Sequence, residues 1–325
     1  MNRTFQSILI IAFFLVMMFF LFRDHVVPSF TRARGVDVDR RVLADSWSNQ
    51  DDWMTIRLGD QKLGAIHTTA EEDDDRDGYV MNSNLQVDGG LIRGRLLSSA
   101  HLNKNLELDA IRLRAQIAGF AGAVLSAKEL DAEELPRGVF ELIGLVEGNM
   151  AHFRLRRDDS VQYFEQRLPR PVTLSDSITP VLRGQMLNKN VDYAIDVYDP
   201  LMGNNASSVA VTYLRDDVEQ FDGEAVRVKK VQLRYQTNRM LLTVDNNGNI
   251  LRREIPLMAP SAADANNGTS AKVPTLVLER VTTADGRARW EELAYTPRPP
   301  KINPDDVRGE NKGKVLQGIS PLSLL

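Results

Sequence analysis

Ile111-Arg112-Leu113-Arg114-Ala115-Gln116-Ile117 decides how this chain folds. Apolar side chains at 111, 113, 115 and 117 alternate with polar ones at 112, 114 and 116. A period of two belongs to a strand with one apolar and one wet face, not to a helix. Just upstream, Leu106 and Leu108 have the opposite parity, which predicts a bulge near Ala110.

Working outward, the same alternation recurs in Phe153 and Leu155 against His152, Arg154 and Arg156, and in Val209, Val211 and Tyr213. It returns in Val231, Leu233 and Tyr235 against Gln232 and Arg234. From Trp53 onward such runs are punctuated by turn residues at intervals of about 8 to 12, the rhythm of an antiparallel sheet. Asp88-Gly89-Gly90, Asp222-Gly223, Asn246-Asn247-Gly248 and Asp285-Gly286 each supply a residue that tolerates positive φ, as tight hairpins demand.

The expected fold is therefore mainly β: a large curved antiparallel meander over 51–296, with 51–168 and 191–296 as candidate halves. Leu91-Ile92-Arg93-Gly94-Arg95 reads as a strand whose glycine marks a bulge. The best helical candidate in the body is Ser126 to Leu135, where Ser126 and Glu129 have capping-box spacing and Pro136 stops the turn. Pro169 to Asn190 is rich in Pro, Ser and Asn and reads as a crossover between the halves. Ser261 to Ala271 reads as a low-complexity hairpin loop, and 297–325, with Pro, Gly and charge but no periodicity, as a disordered tail.

Thr4 to Phe22 is a different kind of segment, uncharged and almost wholly apolar. Its Ile, Leu, Phe and Val side chains sum to roughly −4 to −7 kcal/mol of membrane insertion. As a helix it would span about 28 Å, against a hydrocarbon core of ~30 Å. A cleavable signal would need a small-x-small site just beyond the run. Phe22 to Arg34 offers nothing better than Pro28-Ser29. Residues 1–25 are therefore read as a single-pass membrane anchor contacting lipid through 4–22, and the arginine-rich 26–50 as a stalk.

The remaining ~300 residues suffice for a core without staples. The chain has no Cys, so neither a disulfide nor a thioether lipid anchor is available. With a net charge of −4 and no basic stripe, nucleic acid is not an expected partner.

Arg183-Gly184, Val197-Tyr198-Asp199-Pro200-Leu201, Leu242-Thr243-Val244-Asp245 and Gly248-Asn249-Ile250-Leu251-Arg252-Arg253-Glu254 follow a familiar order. They are preceded by Trp53, Ile56, Gly59, Lys62, Leu63 and Gly64, an aromatic strand running into a glycine-lysine turn. Over roughly Trp53 to Leu257 the chain resembles the β-rich domain that precedes transglutaminase-like cores in bacterial envelope proteins. The resemblance implies an extracytoplasmic, membrane-tethered, strongly curved antiparallel sheet, broadly similar to LolA-type lipoprotein carriers. It implies no settled activity, and the Cys nucleophile of the transglutaminase-like core is absent here.

Orientation leans on that resemblance. Arg23, Arg32, Arg34, Arg40 and Arg41 follow the anchor and only Arg3 precedes it, which by the positive-inside rule would keep the body in the cytoplasm. Long domains, however, translocate largely regardless of charge. The body is expected on the periplasmic side of the inner membrane.

Asp73-Asp74-Asp75-Arg76-Asp77-Gly78 fits the first half of a calcium loop, D-x-D-x-D-G, with Val80 at the hydrophobic eighth position. The twelfth position is Asn84, not Glu, and the flanks read as strands, so an acidic hairpin tip is the favoured reading over calcium on Asp73, Asp75 and Asp77. His25, His67, His101 and His152 are isolated, and are expected to be single, partly exposed sheet residues. There is no G-x-S-x-G elbow, no P-loop and no G-x-G-x-x-G, so neither catalytic residues nor nucleotide or other cofactors are assigned. The expected function is a non-enzymatic envelope domain working through protein or lipid contacts, by a strand edge or by an apolar cavity in the sheet. The alternative is an accessory subunit of a peptidase or transglutaminase-like system, or an unrecognised hydrolase.

Overall fold

The computed structural model describes residues 36–37, 49–73, 75–89, 93–118, 123–168, 173–174, 192–198, 207–235, 238–257, 274–282, 284–288, 290–297 and 302–308. The readings made for the anchor, for most of the stalk and crossover, and for Ser261 to Ala271 lie outside these residues. Among the described residues no helix is long and apolar enough to cross a membrane.

Among the described residues the alternating runs become one sheet of 16 strands. Its first meander is β2 (Gln50–Leu58), β3 (Gln61–Glu72), β4 (Gly78–Asp88), β5 (Arg93–Asn103), β6 (Leu108–Ala118), β7 (Val139–Glu147), β8 (Met150–Arg157) and β9 (Ser160–Arg167), each antiparallel to the next. The second is β11 (Asp192–Tyr198), β12 (Ser207–Phe221), β13 (Glu224–Tyr235), β14 (Asn238–Asp245), β15 (Ile250–Pro256) and β16 (Thr275–Arg280). The two candidate halves join edge to edge, because β16 pairs with β2 through Leu278 and Ile56. Two dipeptide strands, β1 (Val36–Asp37) and β10 (Thr173–Leu174), run parallel to β11. Part of the expected stalk and part of the expected crossover are thus bonded into the sheet.

The apolar faces of both meanders meet in one core. Leu113, Leu142, Phe153 and Phe164 from the first share it with Ile195, Val211, Val231 and Val244 from the second, so the sheet curls back on itself. Across the first meander one row of partners runs Ala70, Met81, Ala100, Ile111, Gly144, Phe153, Phe164. Small and large residues alternate along it, which lets a curved sheet fill its concave side. The row ends in two stacked rings, Phe153 and Phe164, with centroids 5.0 Å apart.

Register explains where the alternation in Ile111–Ile117 departs from expectation. The bulge is present: His101 faces Ala110 and Leu102 faces Leu108, leaving Asp109 as the extra residue. Leu106 lies in the preceding turn at φ 58°, its side chain buried. Ile117 is not in the core but 62% exposed. It faces Gly94, which has no side chain, and lies beyond the last β6–β7 pair, Gln116 with Val139, so nothing covers it. Nor does Gly94 mark a bulge. Its register is regular, and a Cβ there would come 2.6 Å from the Gln116 carbonyl, so the glycine serves close strand approach.

The turns at Asp222-Gly223 and Gly248 adopt the positive φ expected of them. Asp285-Gly286, in contrast, falls inside a short helix, α2 (Ala284–Ala288). The expected helix from Ser126 is shorter than its spacing suggests: α1 is Ala127–Leu130, with the capping box between Ser126 and Glu129 formed. The expected disordered tail contains a helix, α3 (Pro304–Arg308), whose Val307 is buried.

Candidate functional site

The convex face of the first meander was expected to be wet. Instead it carries a file of enclosed polar groups. Cross-strand pairing lines up Trp53, His67, Asn84, Leu97, Arg114, Glu141 and Arg156. A neighbouring file runs Thr69, Asn82, Ser99, Arg112, Ile143, Arg154, Tyr163. Two pieces of chain roof these files over: α1, whose Ala127 and Leu130 pack on Leu97 and Val139, and the segment 290–297.

Segment 290–297 is seated chiefly by polar contacts to its backbone. Trp290 leads into a 3₁₀ turn, Glu291–Ala294. Asn84 Nδ2 donates to the carbonyls of Glu292, Leu293 and Tyr295 at 3.2, 3.3 and 3.2 Å. His67 Nδ1 donates to the Leu293 carbonyl at 2.8 Å, and its Nε2 stands 2.6 Å from Asp51 Oδ1. The His67 ring also stacks on Trp53 with centroids 4.0 Å apart. Burial works against the Asp51 carboxylate, but the hydrogen bond and charge of His67 outweigh it and hold Asp51 below the usual carboxylate range. Leu293, fully buried, fills the space between Trp53 and Ala65. Arg95 Nη2 donates to Gln86 and Glu292, each at 2.6 Å.

Next along the file is a buried charge cluster. Arg114 Nε donates to Glu141 at 2.8 Å, Arg112 Nε at 3.4 Å and Arg154 Nη2 at 3.5 Å. Arg114 Nη1 also caps the end of α1 by donating to the carbonyls of Leu130 and Ala132. Asp131 takes Arg112 at 3.2 Å and the Tyr295 hydroxyl at 2.8 Å, so roof and cluster are tied together. Desolvation would raise the Glu141 pKa, but Arg114, then Arg112 and Arg154, more than reverse that, and the carboxyl titrates below its usual range. On the second meander Lys230 is likewise enclosed, bonded to Thr243 Oγ1 at 2.7 Å and paired with Glu219.

The acidic turn does not gather its carboxylates. Asp73 faces His101, whose Nε2 is 3.6 Å from Asp73 Oδ2, whereas Asp77 pairs with Lys104 at 2.9 Å and Asp75 is exposed. The histidines depart from expectation too: His67 and His101 are 6% and 3% exposed. His152 is half-buried between Glu147 and Glu165, and His25 lies outside the described residues. Among the described residues no three His, Asp or Glu side chains are grouped to hold a metal.

Sequence reading missed Arg95, Arg114, Asp131, Glu141 and Lys230 as buried charges. One signal was available: Glu141 is a lone carboxylate inside the apolar run Val139-Phe140-Glu141-Leu142-Ile143. A charge there requires partners, and the arginines of neighbouring strands supply them.

Fold and site together define a β-rich domain whose polar face is enclosed and cross-linked, with some buried polar atoms, among them Asn82 Nδ2, Asn84 Oδ1 and Arg95 Nη1, left without a hydrogen-bond partner among the described residues. No known protein family matches the chain, and no curated protein matches it. Among solved structures it is similar to a β-barrel-like protein of Domain of Unknown Function DUF1849 from Brucella abortus, at 10% identity and a TM-score of 0.43. That likeness covers 72% of this chain and 96% of the other.

Proposed function

We infer that this chain is a membrane-anchored domain on the extracytoplasmic side of the bacterial inner membrane, acting through contacts with protein or lipid and not through catalysis. The observation that supports this best is the edge strand β9. Among the described residues β9 pairs only with β8, and it leaves Val161 and Tyr163 43% and 37% exposed. An open edge with apolar side chains is what strand addition by a partner uses. The internal engagement of His67, Asn84, Arg114 and Glu141 agrees with a structural role for the polar face.

Two measurements test the reading. Native mass spectrometry of the full chain, extracted from its own membrane in mild detergent, should return a companion chain or lipid that is lost with Val161→Glu and Tyr163→Glu. A bare chain would overturn it. Because the chain has no Cys, Ser160→Cys gives a single label. A membrane-impermeant maleimide should modify it in spheroplasts, and protection until lysis would place the body in the cytoplasm.

A further inference from the structure

The His101 imidazole has one nitrogen engaged and one not. Nδ1 lies 3.1 Å from Asp109 Oδ2. Nε2 is buried and has no hydrogen-bond partner. A polar atom left bare in a buried place calls for an explanation. Its nearest acidic neighbour is Asp73 Oδ2 at 3.6 Å, too far for a hydrogen bond. Two donors sharing one tetrahedral ion at ~2.0–2.1 Å each are separated by about 3.4 Å, close to this gap.

Four further features converge on the gap. The His101 and Asp73 side chains are 4% and 11% exposed, so bulk water is largely excluded. Gly78 is required by its close approach to β5, where a Cβ would stand 2.1 Å from the Leu102 carbonyl, and its lack of a side chain also leaves open the side of His101 Nε2 that such a Cβ would reach at 3.1 Å. Asp109 on Nδ1 fixes the ring and tautomer that leave Nε2 bare, the arrangement common behind metal-bound histidines. Asp73 Oδ1 is already engaged by the Asp75 N–H at 3.0 Å, which turns Oδ2 toward the ring.

We propose that His101 Nε2 and Asp73 Oδ2 form a two-point site for a divalent cation of the zinc class, held between the β3–β4 turn and strand β5, with Asp109 positioning the imidazole. Water completes the coordination. A nitrogen donor disfavours Ca²⁺, which takes oxygen ligands, and favours Zn²⁺ or Co²⁺. The acidic turn that reads as half a calcium loop thus lends a single carboxylate to a different ion.

The test uses the untagged full chain in detergent near neutral pH, titrated calorimetrically with ZnCl₂, CoCl₂ and CaCl₂. One Zn²⁺ or Co²⁺ should bind per chain, with a rise in Tm and a cobalt absorption band, and Ca²⁺ should do neither. Asp109→Asn should weaken affinity by about 10- to 100-fold. Asp73→Asn and His101→Gln should abolish binding. Should His101→Gln fail to fold, Asp73→Asn, a change in a turn, decides alone. No heat from Zn²⁺ or Co²⁺, or binding that survives Asp73→Asn, overturns the proposal.

Discussion

Arg114 Nε donates to Glu141 across 2.8 Å with the two side chains 5% and 6% exposed, an ion pair enclosed inside the convex face of a sheet. Glu141 is the shared acceptor of Arg114, Arg112 and Arg154, so its removal would leave the enclosed Arg114 with only the more distant carboxylate of Asp131, 4.0 Å away. Breaking a buried pair by deleting one partner costs about 3–5 kcal/mol. Glu141→Gln should therefore lower stability by that order at neutral pH. The folded carboxyl titrates below the unfolded one. Its contribution is thus fully present above the unfolded pKa of roughly 4.3 and disappears as pH falls through the lower folded value. Denaturant melts of native chain and Glu141→Gln should converge as pH falls below about 4; a constant difference down to pH ~2 would count against the cluster.

Gly64 and Gly144 separate two kinds of crowding. A Cβ at Gly64 would stand 2.1 Å from the Gln86 backbone carbonyl, and one at Gly144 would meet the Phe153 ring at 2.5 Å. Phe153 is itself fully buried and stacked on Phe164, so it has no free direction in which to swing. Overpacking of this sort costs about 1–3 kcal/mol, occasionally more. Both alanine variants should melt lower than the native chain. Gly64→Ala should be the worse, since a strand backbone must move. Equal or higher melting of Gly64→Ala would contradict the close approach of β3 and β4.

Leu293→Ala tests the roof. The side chain is fully buried against Trp53 and Ala65, and truncating such a leucine costs about 2–5 kcal/mol. The bonds from Asn84 and His67 are made to backbone carbonyls and survive the substitution in principle. The expected result is local loosening: faster amide exchange over 290–297 and a red shift in tryptophan emission, with the β signal in circular dichroism retained. Unchanged exchange across that segment would mean Leu293 does not anchor it.

The period-two pattern made the sheet legible, because alternation needs only neighbours within one strand. What crosses between strands was not. Arg114 has the same spacing as Arg112 and Gln116 but sits under α1, and only the pairing of Leu97 with Arg114 and the short course of α1 put it there. Ile117 fits the apolar face and is exposed because its partner is a glycine. Asn84 was read as the wrong residue for a calcium loop. Its role, catching three carbonyls of a segment some two hundred residues away, has no local signal.

Tyr213 offers a test at the opposite end of the pH scale. It is the last inward residue of β12 before the register shifts at Leu214, and it packs in the common core against Val231. Burial comes first in disfavouring its phenolate, and the hydrogen bond and charge of Asp216 add to it, so the hydroxyl is pushed up to about 12. A raised folded pKa means the fold keeps this contribution below the unfolded value near 10. It is lost as pH climbs from there through the folded value, because the unfolded chain ionises first. Tyrosinate absorbance of the native chain minus that of Tyr213→Phe should give a single ionisation centred near 12. The stability of Tyr213→Phe should fall less steeply than the native chain's across the same interval. A difference curve centred near the ordinary ~10 would show that the ring is hydrated and that the core does not extend to the bulge.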